Sequence, residues 1–256
     1  MLPLYNIADL LLAVTWALLR VSGMVLIAPI FGAVFAPMRV RVMIAVVIAV
    51  AMLPVIPELP QVSPLSVGGF LAIGRELLIG VAIGFMLKLV VEAATFAGQV
   101  VSTGMGLSFA VVVDPQAGNT PLLGRLYIIT ATLLLLAANA HLALIAAVAE
   151  SYTLLPIGQS GLAASSALDL VRFGSVIFTG AMHLAMPAVI AILMVNVAFG
   201  VISRAAPTLN LFAVGFPVTL MLGFIVLTLS VRSQDVVWAN LFEKALSQTA
   251  LLLTGG

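Results

Sequence analysis

Apolar residues fill this chain in long runs, and the few positions that interrupt them set its organisation. A helix that crosses hydrocarbon needs about 20 residues at roughly 1.5 Å each. Runs of that kind lie near 8–36, 42–57, 68–103, 126–153, 171–203 and 211–231. The second is short, and the third would reach on the order of 50 Å as one helix. A weakly amphipathic tail from Val236 to Leu253 predicts one more helix. Breaks fall at Pro37, at the cluster Pro54, Pro57, Pro60 and Pro64, across 104–121, at Pro156-Ile157-Gly158 and at Ala206-Pro207, where glycine and proline interrupt helices. No internal repeat or domain boundary is visible, so the pattern predicts one helical membrane domain over 1–256.

Composition sharpens this. The chain is 63% hydrophobic and 7% charged, with mean hydropathy +1.30, whereas soluble domains carry about 25% charged residues. A net charge of +1 argues against a nucleic-acid partner, which would require clustered Lys and Arg. With no cysteine and two distant histidines, thiolate metal sites are excluded and other metal sites are not indicated. The N-terminal stretch carries Asp9 and lacks the basic segment of a secretory leader, so it reads as a first helix.

Charge placement fits a simple bundle poorly. With the N-terminus outside, Arg39, Arg41, Lys88, Arg125 and Arg204 fall on the cytoplasmic side, as expected of basic loop residues. The same alternation places Arg172, Arg232 and Lys244 outside. Arg20 lies in the middle of the first run, and Arg75-Glu76 lies inside the third. Such charges should face protein or water. Glu76, Gly80, Gly84, Lys88 and Glu92 recur every four residues and lie along one oblique helical stripe. Gly80 and Gly84 form a GxxxG pattern that admits a close neighbour. That neighbour is either another part of this chain or a second subunit.

Candidate chemistry is sparse. Asn139 and His141 sit within the fourth run, where interhelical hydrogen bonding is favoured over a proton relay because no carboxylate lies within a turn. Pro187, four residues after His183, predicts a helix kink. No nucleophile–base pair, phosphate loop or carboxylate dyad is evident, so the reading is of a non-catalytic protein without a cofactor.

The segment GLSFAVVVDPQAGNTPLLGR, 106–125, stands apart. Gly104, Gly106 and Pro115 disfavour a continuous helix, Val111 and Val112 favour extended backbone, and Asp114 to Asn119 has turn chemistry. As a surface loop it would bare Met105, Leu107 and Phe109 to water. Folding back into the protein, where irregular backbone is tolerated at membrane depth, accounts better for its apolar character.

GMGLSFAVVVDPQAGNTPLLGR (104–125) resembles the corresponding segment of the FliR family of bacterial type III export-gate proteins. APIFGAVFAPMRVRV (28–42), GRELLIGVAIGF (74–85) with FAGQ (96–99), ANAHLAL (138–144) and VNVAFGVISRAAPTLNLFAVGFP (195–217) match the family in the same order. The resemblance covers nearly the whole chain. It implies an all-α membrane protein whose helical hairpins pack into a hetero-oligomeric, pore-forming gate with FliP and FliQ, and with FlhB and FlhA nearby. The gate would sit at the bacterial inner membrane in the flagellar basal body, project largely toward the periplasm, contact membrane lipid and pass unfolded flagellar proteins. An equivalent subunit of a virulence injectisome is the alternative, and a secondary transporter a more distant one. The resemblance also implies that a non-helical loop near 104–121 plugs the closed pore. Its residues here are Gly104, Met105, Gly106, Leu107, Ser108, Phe109, Val111, Val112, Asp114, Pro115, Gln116 and Asn119. Arg20, Arg75, Glu76, Gly80, Gly84, Lys88 and Glu92, with Arg204, Pro207, Asn210, Phe216 and Pro217, are expected in helix ends and subunit packing.

Overall fold

A computed structural model describes residues 7–32, 36–57, 66–107, 122–158, 161–205, 211–230 and 234–255. Among these residues the regular structure is helical: α1 (Ile7–Ile27), α2 (Met38–Met52), α3 (Val67–Gly104), α4 (Leu122–Ala137), α5 (Ala140–Leu154), α6 (Ala164–Phe173), α7 (Val176–Ala205), α8 (Leu211–Ser230) and α9 (Asp235–Thr254), plus a 3-10 turn at Leu53–Val55.

Local chemistry explains most boundaries. Pro37 precedes α2 with φ −56° and ψ 144°, a geometry its ring favours. Pro54 lies in the 3-10 turn that follows this helix. At the start of α3 the Ser66 Oγ accepts the Gly69 N–H at 3.0 Å, satisfying an otherwise unpaired first-turn donor. Asn139, in the left-handed region at φ 55°, separates α4 from α5, so the expected run 126–153 is two helices. Asparagine visits that conformation more readily than most residues. The expected first run also ends early, at Ile27, where a turn closes through the Gly32 N–H to the Ala28 carbonyl. Proline did not always break the chain: Pro187 and Pro217 lie inside α7 and α8.

Among the described residues, four helical stretches are long and apolar enough to cross a membrane, namely Asp9–Ile27, Met38–Val55, Val67–Gly104 and Ala164–Ala205; counting each of two bent pairs as one span raises this to six. The protein is an all-α membrane protein. Several threonine hydroxyls within these helices are satisfied locally. Thr95, Thr103, Thr130, Thr132 and Thr228 each donate to the carbonyl four residues back, which removes the penalty of an unpaired polar group in an apolar setting.

The chain divides into two compact units. One comprises Met1–Leu89, Leu135–Gly174 and Phe242–Gly256, the other Val90–Leu134 and Ser175–Leu241. In the first, α1 packs on α2 and on the N-terminal part of α3, with Trp16, Val21, Met24, Ile79, Ile83 and Tyr152 in the core. In the second, α7 packs on α8, and Val101, Met105, Leu123, Leu184, Ile192 and Trp238 are buried.

Candidate functional site

The first unit buries an ion pair, and its surroundings are fully engaged. The Arg20 Nε donates to Glu76 Oε2 at 2.8 Å, and Nη2 reaches the same oxygen at 2.7 Å. Nη1 donates to the Ser151 Oγ at 2.9 Å, and Nη2 to the Leu155 carbonyl at 2.8 Å. The Tyr152 ring lies 4.4 Å under the guanidinium carbon, while its hydroxyl donates to the Ala17 carbonyl at 2.9 Å. The Gly158 N–H donates to Glu76 Oε1 at 3.4 Å. Both charged side chains have 0% exposed area. A buried pair persists only when its remaining donors and acceptors are met, and here α1, α3, α5 and the turn after α5 meet them.

Small residues make that approach possible. A Cβ on Gly23 would lie 2.5 Å from the Leu77 carbonyl oxygen, and one on Gly84 2.8 Å from that of Met24. One on Gly80 would fall on the Arg20 carbonyl. The GxxxG pattern therefore receives α1 of the same chain, which selects between the two readings the sequence left open for Gly80 and Gly84. Arg20 and Glu76 are likewise sheltered within the chain. Lys88 and Glu92 are half-buried, and both are engaged by neighbours. Arg75 alone in this group stands exposed.

In the second unit, α3 ends by a glycine-dependent motif. Gly106 has φ 77°; its N–H bonds the Thr103 carbonyl at 3.0 Å, and the Leu107 N–H bonds the Ser102 carbonyl at 2.9 Å. This is the Schellman arrangement, in which a left-handed glycine closes a helix C-terminus. Gly104 belongs to the helix, Met105 is 1% exposed, and Leu107 is half-buried. Met105 fills a notch on α8, where a Cβ on Gly223 would meet its Cε, Sδ and Cγ at 2.6–2.8 Å. Nearby, a Cβ on Gly98 would lie 2.6 Å from the Gly124 Cα, so α3 and α4 cross with backbones touching. The root of the central segment is thus fixed on both sides. Ser108 to Asn119, including Phe109, Val111, Val112, Asp114, Pro115 and Gln116, lie outside the described residues, as do Pro207 and Asn210.

Of the remaining expected positions, Arg204 is exposed in the last turn of α7. Phe216 is 42% exposed on α8, and Pro217 lies inside that helix and does not end it. Asn139 is exposed at the break before α5. Gln234, which no motif or periodicity marks, is buried and donates from Nε2 to the Leu184 carbonyl at 3.4 Å and to the Tyr127 hydroxyl at 3.5 Å. Leu184 lies three residues before Pro187 in the continuous α7, where an extra donor compensates the helix hydrogen bonding that proline disturbs.

Large apolar surfaces remain open. Phe178, Met182, Leu193, Met194, Val197 and Val201 on α7 are 51–69% exposed. Met221, Ile225 and Leu229 on α8 and Met43 and Val47 on α2 are similarly bare. Such faces are covered by lipid or by other proteins.

A helical membrane protein that encloses a buried ion pair and presents wide apolar faces is the class these features define. The chain belongs to family 1 of the bacterial export proteins, whose model matches residues 11–245. It is similar to the flagellar biosynthetic protein FliR of Escherichia coli (strain K12), at 38% identity over 211 residues covering 81% of this chain and 80% of that protein. It is 33% identical to FliR of Pectobacterium carotovorum subsp. carotovorum over 93% of this chain and 92% of the relative. FliR of Bacillus subtilis (strain 168) is 28% identical over 97% of both chains.

Proposed function

We propose that this chain is a pore-forming structural subunit of the flagellar protein-export gate in the bacterial inner membrane, assembled with FliP and FliQ. FlhB and FlhA would be neighbours, and unfolded flagellar proteins the transit substrates. The relatives' flagellar names favour this over an injectisome.

The observation that carries the reading is a contrast within the chain. The Arg20–Glu76 pair is enclosed by its own helices, whereas the apolar faces of α2, α7 and α8 are left open. A self-contained bundle surrounded by lipid would need no second subunit, but the family is one of export proteins, and subunit association covers such faces.

In this reading the segment after Gly106 seals the closed channel. Met105 in the Gly223 notch and the Gly98–Gly124 crossing hold its root, and the left-handed Gly106 sets the direction in which it leaves α3. Apolar side chains at a constriction exclude ions by dewetting. Deletion of Gly106 to Val112 in the assembled gate tests this: the membrane becomes permeable to small ions while the complex still forms. An unchanged ion barrier in that assembled variant contradicts the plug.

A further inference from the structure

Arg75, next to Glu76 on α3, is exposed, and it forms no hydrogen bond or ion pair with any described residue. Its stem runs past Gly161, where a Cβ would lie 3.5 Å from its Cγ and Cδ. The side chain is exposed beside residues that are otherwise apolar. Phe70 is 70% exposed, Leu71 58% and Leu78 62%. Beside it Gly74 is open, with nothing within 4 Å of where a Cβ would stand.

Depth decides what can cover this face. Glu76, the next residue, is bonded to Arg20, and Arg20 lies two residues from the centre of the candidate span Asp9–Ile27. Where that span crosses a bilayer, Arg75 is near the midplane, about 15 Å from either headgroup layer. That is farther than one arginine side chain extends, so lipid phosphate is out of reach. Where the helices stand clear of the bilayer, Phe70, Leu71 and Leu78 still require an apolar cover. Both cases call for a protein surface that is apolar and carries an anion.

We propose that the α3 face around Arg75 docks a helix of a neighbouring subunit, which places a carboxylate on the Arg75 guanidinium and lies close against α3 at Gly74. This rests on the multi-subunit reading given above and adds the chemistry of one contact. Arginine suits the role because its planar fork binds a carboxylate through two parallel N–H donors. Gly74 suits it because a missing side chain lets two helix backbones approach.

The test uses the full chain, affinity-tagged and purified in detergent from cells that express the other gate subunits. Arg75→Met and Arg75→Glu lower recovery of partner subunits on the order of tenfold or more, as expected when a buried carboxylate loses its partner. Arg75→Lys retains most of it. Gly74→Leu also loses partners, by obstruction. The thermal unfolding temperature of each variant chain, followed by tryptophan fluorescence, is not lowered, because the Arg75 head bonds no described residue of the chain and Gly74 has open space beside it, where a side chain adds helix propensity. A carboxylate-to-Lys change in a partner helix restores assembly of Arg75→Glu. Wild-type recovery with Arg75→Met overturns the proposal, as does unfolding of that variant at lower temperature. If the wild-type chain itself brings down no other membrane subunit, the assembly reading fails and this contact with it.

Discussion

Arg20 on α1 and Glu76 on α3 stand 56 residues apart in sequence and share a 2.7–2.8 Å ion pair with no exposed side-chain area. In apolar surroundings neither charge could be left alone, and the second carboxylate oxygen and two guanidinium nitrogens are met by Gly158, Ser151 and Leu155. The pair thereby fixes α1, α3 and the end of α5 to one another.

Removing one partner leaves a buried, uncompensated charge. Glu76→Gln or Arg20→Met alone is expected to destabilise the chain by about 3–5 kcal/mol. The double variant Arg20→Met/Glu76→Leu recovers most of that loss, since replacing both members of a buried pair with apolar groups is often close to neutral. Tryptophan fluorescence during denaturation checks this, because Trp16 and Trp238, 1% and 2% exposed, lie one in each compact unit.

Glycines that look alike in sequence should differ in their tolerance. Gly80→Ala drives a Cβ into the Arg20 backbone, which no rotamer change relieves, so the variant fails to fold. Gly74→Ala meets nothing and adds helix propensity of up to about 1 kcal/mol. Detergent-solubilised yield and melting temperature of the two variants give the comparison. Similar behaviour of both would refute the α1–α3 crossing.

At the end of α3, Gly106→Ala forces an L-residue into the left-handed region, which costs roughly 1–2 kcal/mol, and misdirects the chain beyond Leu107. Gly104→Ala brings only ordinary contact with Ile192, at 3.6 Å. In the assembled gate the first variant leaks small ions and the second does not, as read by ion flux across the membrane.

The notch at Gly223 gives a related expectation. Gly223→Val displaces Met105 from its burial site, and Met105→Ala empties that site at about 2–5 kcal/mol. Each lowers the unfolding temperature of the chain and raises ion flux through the assembled gate, whereas Gly104→Ala serves as the silent control.

Much of this was legible in the sequence. The run at 68–103 became Val67–Gly104, the run at 211–231 became Leu211–Ser230, and the tail helix appeared at Asp235–Thr254. Arg20 and Glu76, expected in packing between subunits, are sheltered by this chain's own helices, and the GxxxG pattern, whose neighbour the sequence left open, meets α1 of the same chain. What protects Arg20 was hidden, because Ser151 and Leu155 are 131 and 135 residues away and no local period links them. The break at Asn139 was missed because apolar residues continue on both sides, and a single left-handed residue suffices to turn the chain. Conversely Pro187, expected to kink its helix, and Pro217, expected at a helix end or in subunit packing, both lie inside α7 and α8.

The central claim is that this chain shields its own Arg20–Glu76 pair and leaves its apolar faces to other export subunits. Native mass spectrometry of the tagged protein released from detergent tests it most directly. The account predicts a stable hetero-oligomer in which this chain is joined by two further small helical membrane proteins. A monodisperse single chain, folded and stable with α7 and α8 covered by detergent alone, would contradict it.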